Sequence, residues 1–304
     1  MSAQIFPVTF LGGYSARKGV LGLIAIPDEV GDAEFCRMYS YNNGQWGRVP
    51  QDFDFTCRSI TYLTEEKSGY KAWWALGKNG EVIEVKGGVA SVDEIPGAGL
   101  NVPDPYGYLS VIRNIGGELY ACGYGRQVYH RKGQWTSIAD AILTRETARG
   151  FLDMDGSGND ALYAVGYHGE IYFYDGTRWH PDDAPTTEHL TGLRCVGLDE
   201  VWVCGRNGVV LHGQYNRWQV IQDPAFTGNW WCVEEFGGRI YLASNTGLAY
   251  VDGNSIRPVD MGMDRSVTTH RLHACDGLLW SIGVKDILVF DGKTWKEIVH
   301  PGNA

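Results

Sequence analysis

The stretch LYAVGYHGEIYFYDGTRW, Leu162 to Trp179, decides the fold. It opens on an apolar run, turns at Tyr167-His168-Gly169, alternates from Glu170 to Tyr174, turns again at Asp175-Gly176 and restarts on Trp179. Short β-branched and aromatic segments closed by Gly, Asn or Asp read as strands joined by tight turns, and a helix does not survive such punctuation. The opening run recurs in both directions as WWALG (73–77), LYACG (119–123), VWVCG (201–205), IYLAS (240–244) and LWSIG (279–283). Each copy is followed by a three-residue turn: KNG, YGR, RNG, NTG or VKD.

A seventh, divergent copy leads into Asn43-Gly-Gln-Trp46. The position of that tryptophan repeats at 90, 135, 179, 218, 256 and 295, at spacings of 44, 45, 44, 39, 38 and 39 residues. A four-stranded propeller blade has a period of about 40–50 residues, longer than most helical repeats. The expected fold is all-β: a single seven-bladed β-propeller of four-stranded antiparallel blades over residues 1–304. Its blades are expected at about 5–49, 56–93, 108–138, 148–182, 190–222, 228–260 and 268–300, closed without strand exchange. Trp179, Trp218 and Trp295, aromatic at one repeat position, are read as packing devices.

The copies at 162–179 and at 279–295, LWSIGVKDILVFDGKTW, resemble the "VWAVG..G.I..YDG..W" repeat propellers of bacterial proteins. These are related at a distance to photosystem II assembly-factor propellers. The resemblance spans nearly the whole chain; it implies the fold and a binding platform, and no particular chemistry. The Asp-Gly turn is one residue shorter than the aspartate box of sialidase-type propellers, since Asp175 abuts Gly176 and Asp291 abuts Gly292.

Charge narrows the partners. Lys and Arg number 26 against 36 Asp and Glu, a formal charge of −10 with no basic run, so a phosphate backbone would be repelled and no nucleic acid is expected. A basic protein would be drawn in. Residues 1–10 carry neither a basic start nor an apolar run, and no stretch approaches membrane length, so no membrane role is expected. Seven cysteines without a CxxC pair fit buried thiols in a reducing cytoplasm, and they argue against zinc.

Catalytic motifs (HExxH, GxSxG, a phosphate loop, GxGxxG) are missing, and His270 and His273 are spaced to fall on opposite faces of a strand. One local pattern stands out. Asp153, Asp155, Ser157 and Asn159 place oxygens at alternate positions with Gly158 sixth, as in a short calcium loop, but position twelve is Ala164 where an EF-hand has its bidentate acid. A plain turn between the first two strands of the fourth blade explains the same residues; a weak calcium site is the alternative.

A partner is expected on the face carrying the turns between second and third strands and the links between blades. That face should present Tyr124, Arg126, Tyr167, His168, Arg206 and Asn207 from turns, and Tyr106, Tyr108 and Trp230 from links. The link 96–108 exceeds the length needed to join two blades. Aromatic and arginine side chains are the usual interface anchors. The expected function is therefore a non-enzymatic protein-binding module, neutralising a basic protein such as a secreted toxin. The alternatives are a lyase or hydrolase acting on a glycan or small molecule in the central channel, and a scaffold in a larger assembly.

Overall fold

A computed structural model of the chain describes residues 6–304, so the expected start of the first blade, Ile5, lies outside them. The described residues form seven four-stranded antiparallel sheets, each built from consecutive strands, and their helices are three single 3-10 turns. The deciding stretch supplies three strands of the fourth blade: Ala161–Gly166, Ile171–Tyr174 and Trp179–Asp182, laid outward from the innermost strand Phe151–Gly158.

The innermost strands are Val8–Arg17, Cys57–Glu65, Leu109–Ile115, Phe151–Gly158, Leu190–Gly197, Cys232–Phe236 and Arg271–Cys275. Each packs on the next, and the seventh packs on the first, so the ring is closed around a channel. Among the described residues no sheet mixes strands from the two ends of the chain. Closure rests instead on apolar contact: Val8, Phe10, Leu21 and Leu23 of the first blade meet Trp280, Ile282, Ile287 and Ile298 of the seventh. The C-terminal segment latches this seam, because Asn303 Oδ1 accepts from Val8 N–H at 2.8 Å and its Nδ2 donates to the Val8 carbonyl at 3.1 Å.

Apolar burial is divided among seven clusters, one in each cleft between neighbouring blades. This follows from the second strands, which are apolar on both faces because both are covered. The repeated tryptophans seal the same clefts: Trp179 donates its indole N–H to the Ile138 carbonyl at 3.0 Å, Trp218 to Asp182 at 2.8 Å and Trp46 to the Val299 carbonyl at 3.1 Å. Each reaches back to the preceding blade.

The glycine that ends the repeated run is explained by close approach. A Cβ at Gly166 would lie 1.8 Å from the Gly150 carbonyl oxygen, and one at Gly283 2.0 Å from that of Thr268. The link from the previous blade therefore lies directly against the end of the second strand, which pins the turns that follow.

Trp179→Ala is expected to destabilise the chain by about 3–5 kcal/mol, since it empties a cleft and orphans the Ile138 carbonyl. Trp295→Ala should cost less, because that ring is half-buried and stacks mainly on Phe290 at 4.8 Å. Urea denaturation checks both; equal losses would show that the position, and not its burial, sets the cost.

Candidate functional site

The channel opens at one end into a funnel of about 480 Å³. Its wall combines the starts of the innermost strands with the turns between second and third strands. Four expected contact residues, Tyr108, Tyr124, Tyr167 and Arg206, meet here. The tyrosines form an arc: Tyr108 meets Tyr124 edge-on at 6.4 Å between ring centres, Tyr124 lies 5.1 Å from Tyr167, and Tyr167 meets His189 at 5.0 Å. The Tyr167 hydroxyl donates to that of Tyr124. Burial pushes the Tyr167 phenol up, the Tyr124 bond adds to this, and the charges of Arg206 and Arg58 oppose it.

Trp231 and Asn245, from a link and a turn of the expected face, also line the funnel, and they are joined by Arg58, His270 and Arg271, which were not anticipated. Arg58 reaches the funnel through a β-bulge. In five blades the register of the innermost strand slips by one residue near its start, between Phe10 and Gly12, Cys57 and Ser59, Leu109 and Val111, Phe151 and Asp153, and Leu190 and Gly192. The skipped residues Leu11, Arg58, Ser110, Leu152 and Thr191 all line the funnel. An extra residue re-aims a side chain that regular pleating would place elsewhere.

The remaining expected contacts are placed differently. Arg126 is held by Glu170 at 2.6 Å and lies over the Tyr172 ring, clipping the third blade to the fourth. Tyr106 lies under the Arg145 guanidinium, 4.2 Å away. His168 and Asn207 are exposed turn residues with φ of 52° and 53°, outside the funnel lining. Trp230 is corrected outright: it is 4% exposed and packs in the cleft between the fifth and sixth blades, while its neighbour Trp231 faces the funnel.

The calcium-loop reading of Asp153, Asp155, Ser157 and Asn159 is also corrected in its geometry. Asp153, Asp155 and Ser157 lie in the extended strand Phe151–Gly158, and only Asn159 and Asp160 turn. Strand alternation points Asp153 and Asp155 the same way, and both carboxylates are already engaged. Arg113 grips Asp153 at 2.7 and 2.8 Å, and Arg194 meets Asp155 at 3.3 Å. Asp153 also accepts the Leu193 N–H at 3.0 Å and Asp155 the Cys195 N–H at 2.9 Å, satisfying donors on the open edge of an innermost strand. Glu234, 2.8 Å from Arg194, completes a charge ladder across the innermost strands of the third to sixth blades. Among the described residues no group of three His, Cys, Asp or Glu side chains is arranged to hold a metal ion.

Fold and site together define a closed seven-bladed β-propeller whose candidate site is one mouth of its channel. No protein-family model matches the chain. The immune protein Tsi7 of Pseudomonas aeruginosa is 31% identical to it over 281 residues, covering 90% of this chain and 92% of that protein. The chain belongs to the family of that immune protein. Among solved structures, YCF48 bound to D1 peptide superposes with a TM-score of 0.67 at 14% identity, covering 98% of this chain and 94% of that one. The WD40 propeller of Doa1 gives 0.67 at 9% identity, covering 100% and 97%. These two are likenesses of fold.

The ladder makes a pH-dependent contribution to stability. Burial pushes the Glu234 carboxyl up from 4.5 to about 7, against the pull of Arg194. Between those values the folded chain holds a proton that the unfolded chain has released, so this contribution is complete below pH 4.5 and is lost as pH rises through about 7. Relative to wild type, Glu234→Gln should therefore gain about 3 kcal/mol between the two values and level off above. Urea unfolding of both proteins across that range checks it. A difference that does not change with pH would show Glu234 to be ionised throughout.

Proposed function

We propose that this chain is a non-enzymatic immune protein that binds and neutralises a protein toxin, with the toxin docked on the funnel face. The kinship with the immune protein Tsi7, over nearly the full length of both chains, carries this reading. The physical support is the funnel itself, an open concavity walled by tyrosines on rigid strand ends. Aromatic side chains offer large contact area at small entropic cost, and they anchor most protein interfaces.

The toxin is proposed to be basic overall. A body of net charge −10 accelerates the encounter with such a partner, over distances that salt screens within about 8 Å at physiological ionic strength. The cytoplasm is the proposed compartment, and the seven free cysteines, five of them buried, suit it. Among the described residues no helix is long and apolar enough to cross a membrane. Within the fold, we place the chain among the "VWAVG..G.I..YDG..W" repeat propellers on the strength of its own repeats.

Capture from the cytosol of the source cell should yield one stoichiometric protein. Tyr108→Ala, Tyr167→Ala and Arg206→Ala should each weaken its binding, by about 2 kcal/mol or more at a true hot spot, with melting unchanged. The wild-type association rate should fall as salt rises. Full binding by all three variants, with loss on changing the opposite face, would move the site; turnover of a small molecule with no captured protein would replace this reading with an enzyme.

A further inference from the structure

The funnel carries a charge opposite to that of the body around it. Among the described residues no acidic side chain lines it, while Arg58, Arg206 and Arg271 do. None of the three has an ion pair among the described residues, although most arginines elsewhere do. Four acids near this end are taken by other cations: Asp28 by Lys285, Glu34 by Lys78, Glu170 by Arg126 and Arg149, and Asp286 by Arg265.

Three unpaired guanidinium groups sharing one concavity repel one another, and an anion placed between them relieves that repulsion. A guanidinium holds a carboxylate through two parallel hydrogen bonds, stronger and more directional than a neutral pair. The walls between the arginines include Leu11, Leu152 and Val284 together with the tyrosine arc, and the volume admits a few residues of peptide. Such mixed walls suit a peptide bearing a carboxylate better than a bare inorganic anion.

Resting on the protein-binding reading above, we infer that the funnel is the receptor for an acidic protruding segment of the partner, whose carboxylate is held by Arg58, Arg206 and Arg271. The partner's surface is then of two kinds, basic where the acidic body of this chain steers it and acidic at the one point that enters the channel.

The probe is an N-acetylated, C-amidated tetraglutamate peptide, titrated into the full chain and followed through the fluorescence of Trp231 in the funnel wall. Saturable binding is expected, weakened at least about tenfold by R58Q or R271Q with melting unchanged, and weakened less by R58K, which keeps the charge and loses the fork. Inorganic phosphate binding as tightly as the peptide would overturn the inference. So would peptide binding that survives R58Q/R206Q/R271Q. A free C-terminus on the peptide should add little; a dependence on it would move the recognised carboxylate from a side chain to a chain end and overturn the acidic-segment assignment.

With a captured partner, the triple variant separates two effects. It makes the chain more acidic by three charges, so general steering of a basic partner would speed association. Loss of the receptor instead speeds dissociation, by at least about tenfold. A wild-type dissociation rate would overturn the inference and leave the protein-binding reading standing. Peptide binding with no protein captured would support the funnel and remove that reading.

Discussion

The molecule depends on apolar contact between neighbouring blades. One four-stranded sheet has two faces and can bury neither alone, so each blade is stable only with a neighbour on both sides, and the row must close on itself. Seven clefts carry the core, and the seam between first and last blades, which no link of the chain crosses, is latched by Asn303 and by Lys285 on Asp28. Among the described residues no strand bridges that seam. The hydrophobic match of Val8, Phe10 and Leu23 with Trp280 and Ile282 must therefore hold the ring.

Closure leaves a problem at the centre. The innermost strands turn their outer edges toward a channel, where backbone donors would go unsatisfied. Asp153 and Asp155 answer it by accepting Leu193 and Cys195 N–H groups, and Arg113 and Arg194 neutralise those carboxylates. At the other end of the same strands, bulges in five of the seven blades expose Arg58, Ser110 and Thr191 to the funnel. A structural floor and a chemically open mouth thus share one set of strands.

Electrostatics divide along that boundary. In the floor every acid of the ladder has an arginine beside it, so its carboxyl groups are engaged and unavailable to a partner. In the mouth three arginines have no ion pair among the described residues, inside a chain that has ten more acids than bases. Leaving cations unpaired in a concavity is unfavourable in the free protein and useful only when something anionic arrives.

The sequence by itself determined the fold, because the repeated run, its glycine and the aromatic ten or more residues later recur at a blade's period. It also located Tyr124, Tyr167 and Arg206, since a turn between paired strands has one position in the repeat and therefore one end of the ring. What only the tertiary structure decided lies where that periodicity breaks. Arg58 is re-aimed by a bulge that no spacing reveals, and Arg271 becomes its companion only through ring closure. Trp230 and Trp231 are adjacent and equally aromatic, yet one fills a cleft and the other faces the funnel, which depends on how an irregular link is laid down. Asp153 and Asp155 read as a loop because Gly and Ser follow them; pairing with Ala161–Gly166 makes the segment a strand, and Arg113 and Arg194, 40 and 39 residues away in sequence, take up its carboxylates. Local pattern sets which segments pair, whereas the partner of a buried charge is set by contacts between blades, which a single repeat does not contain.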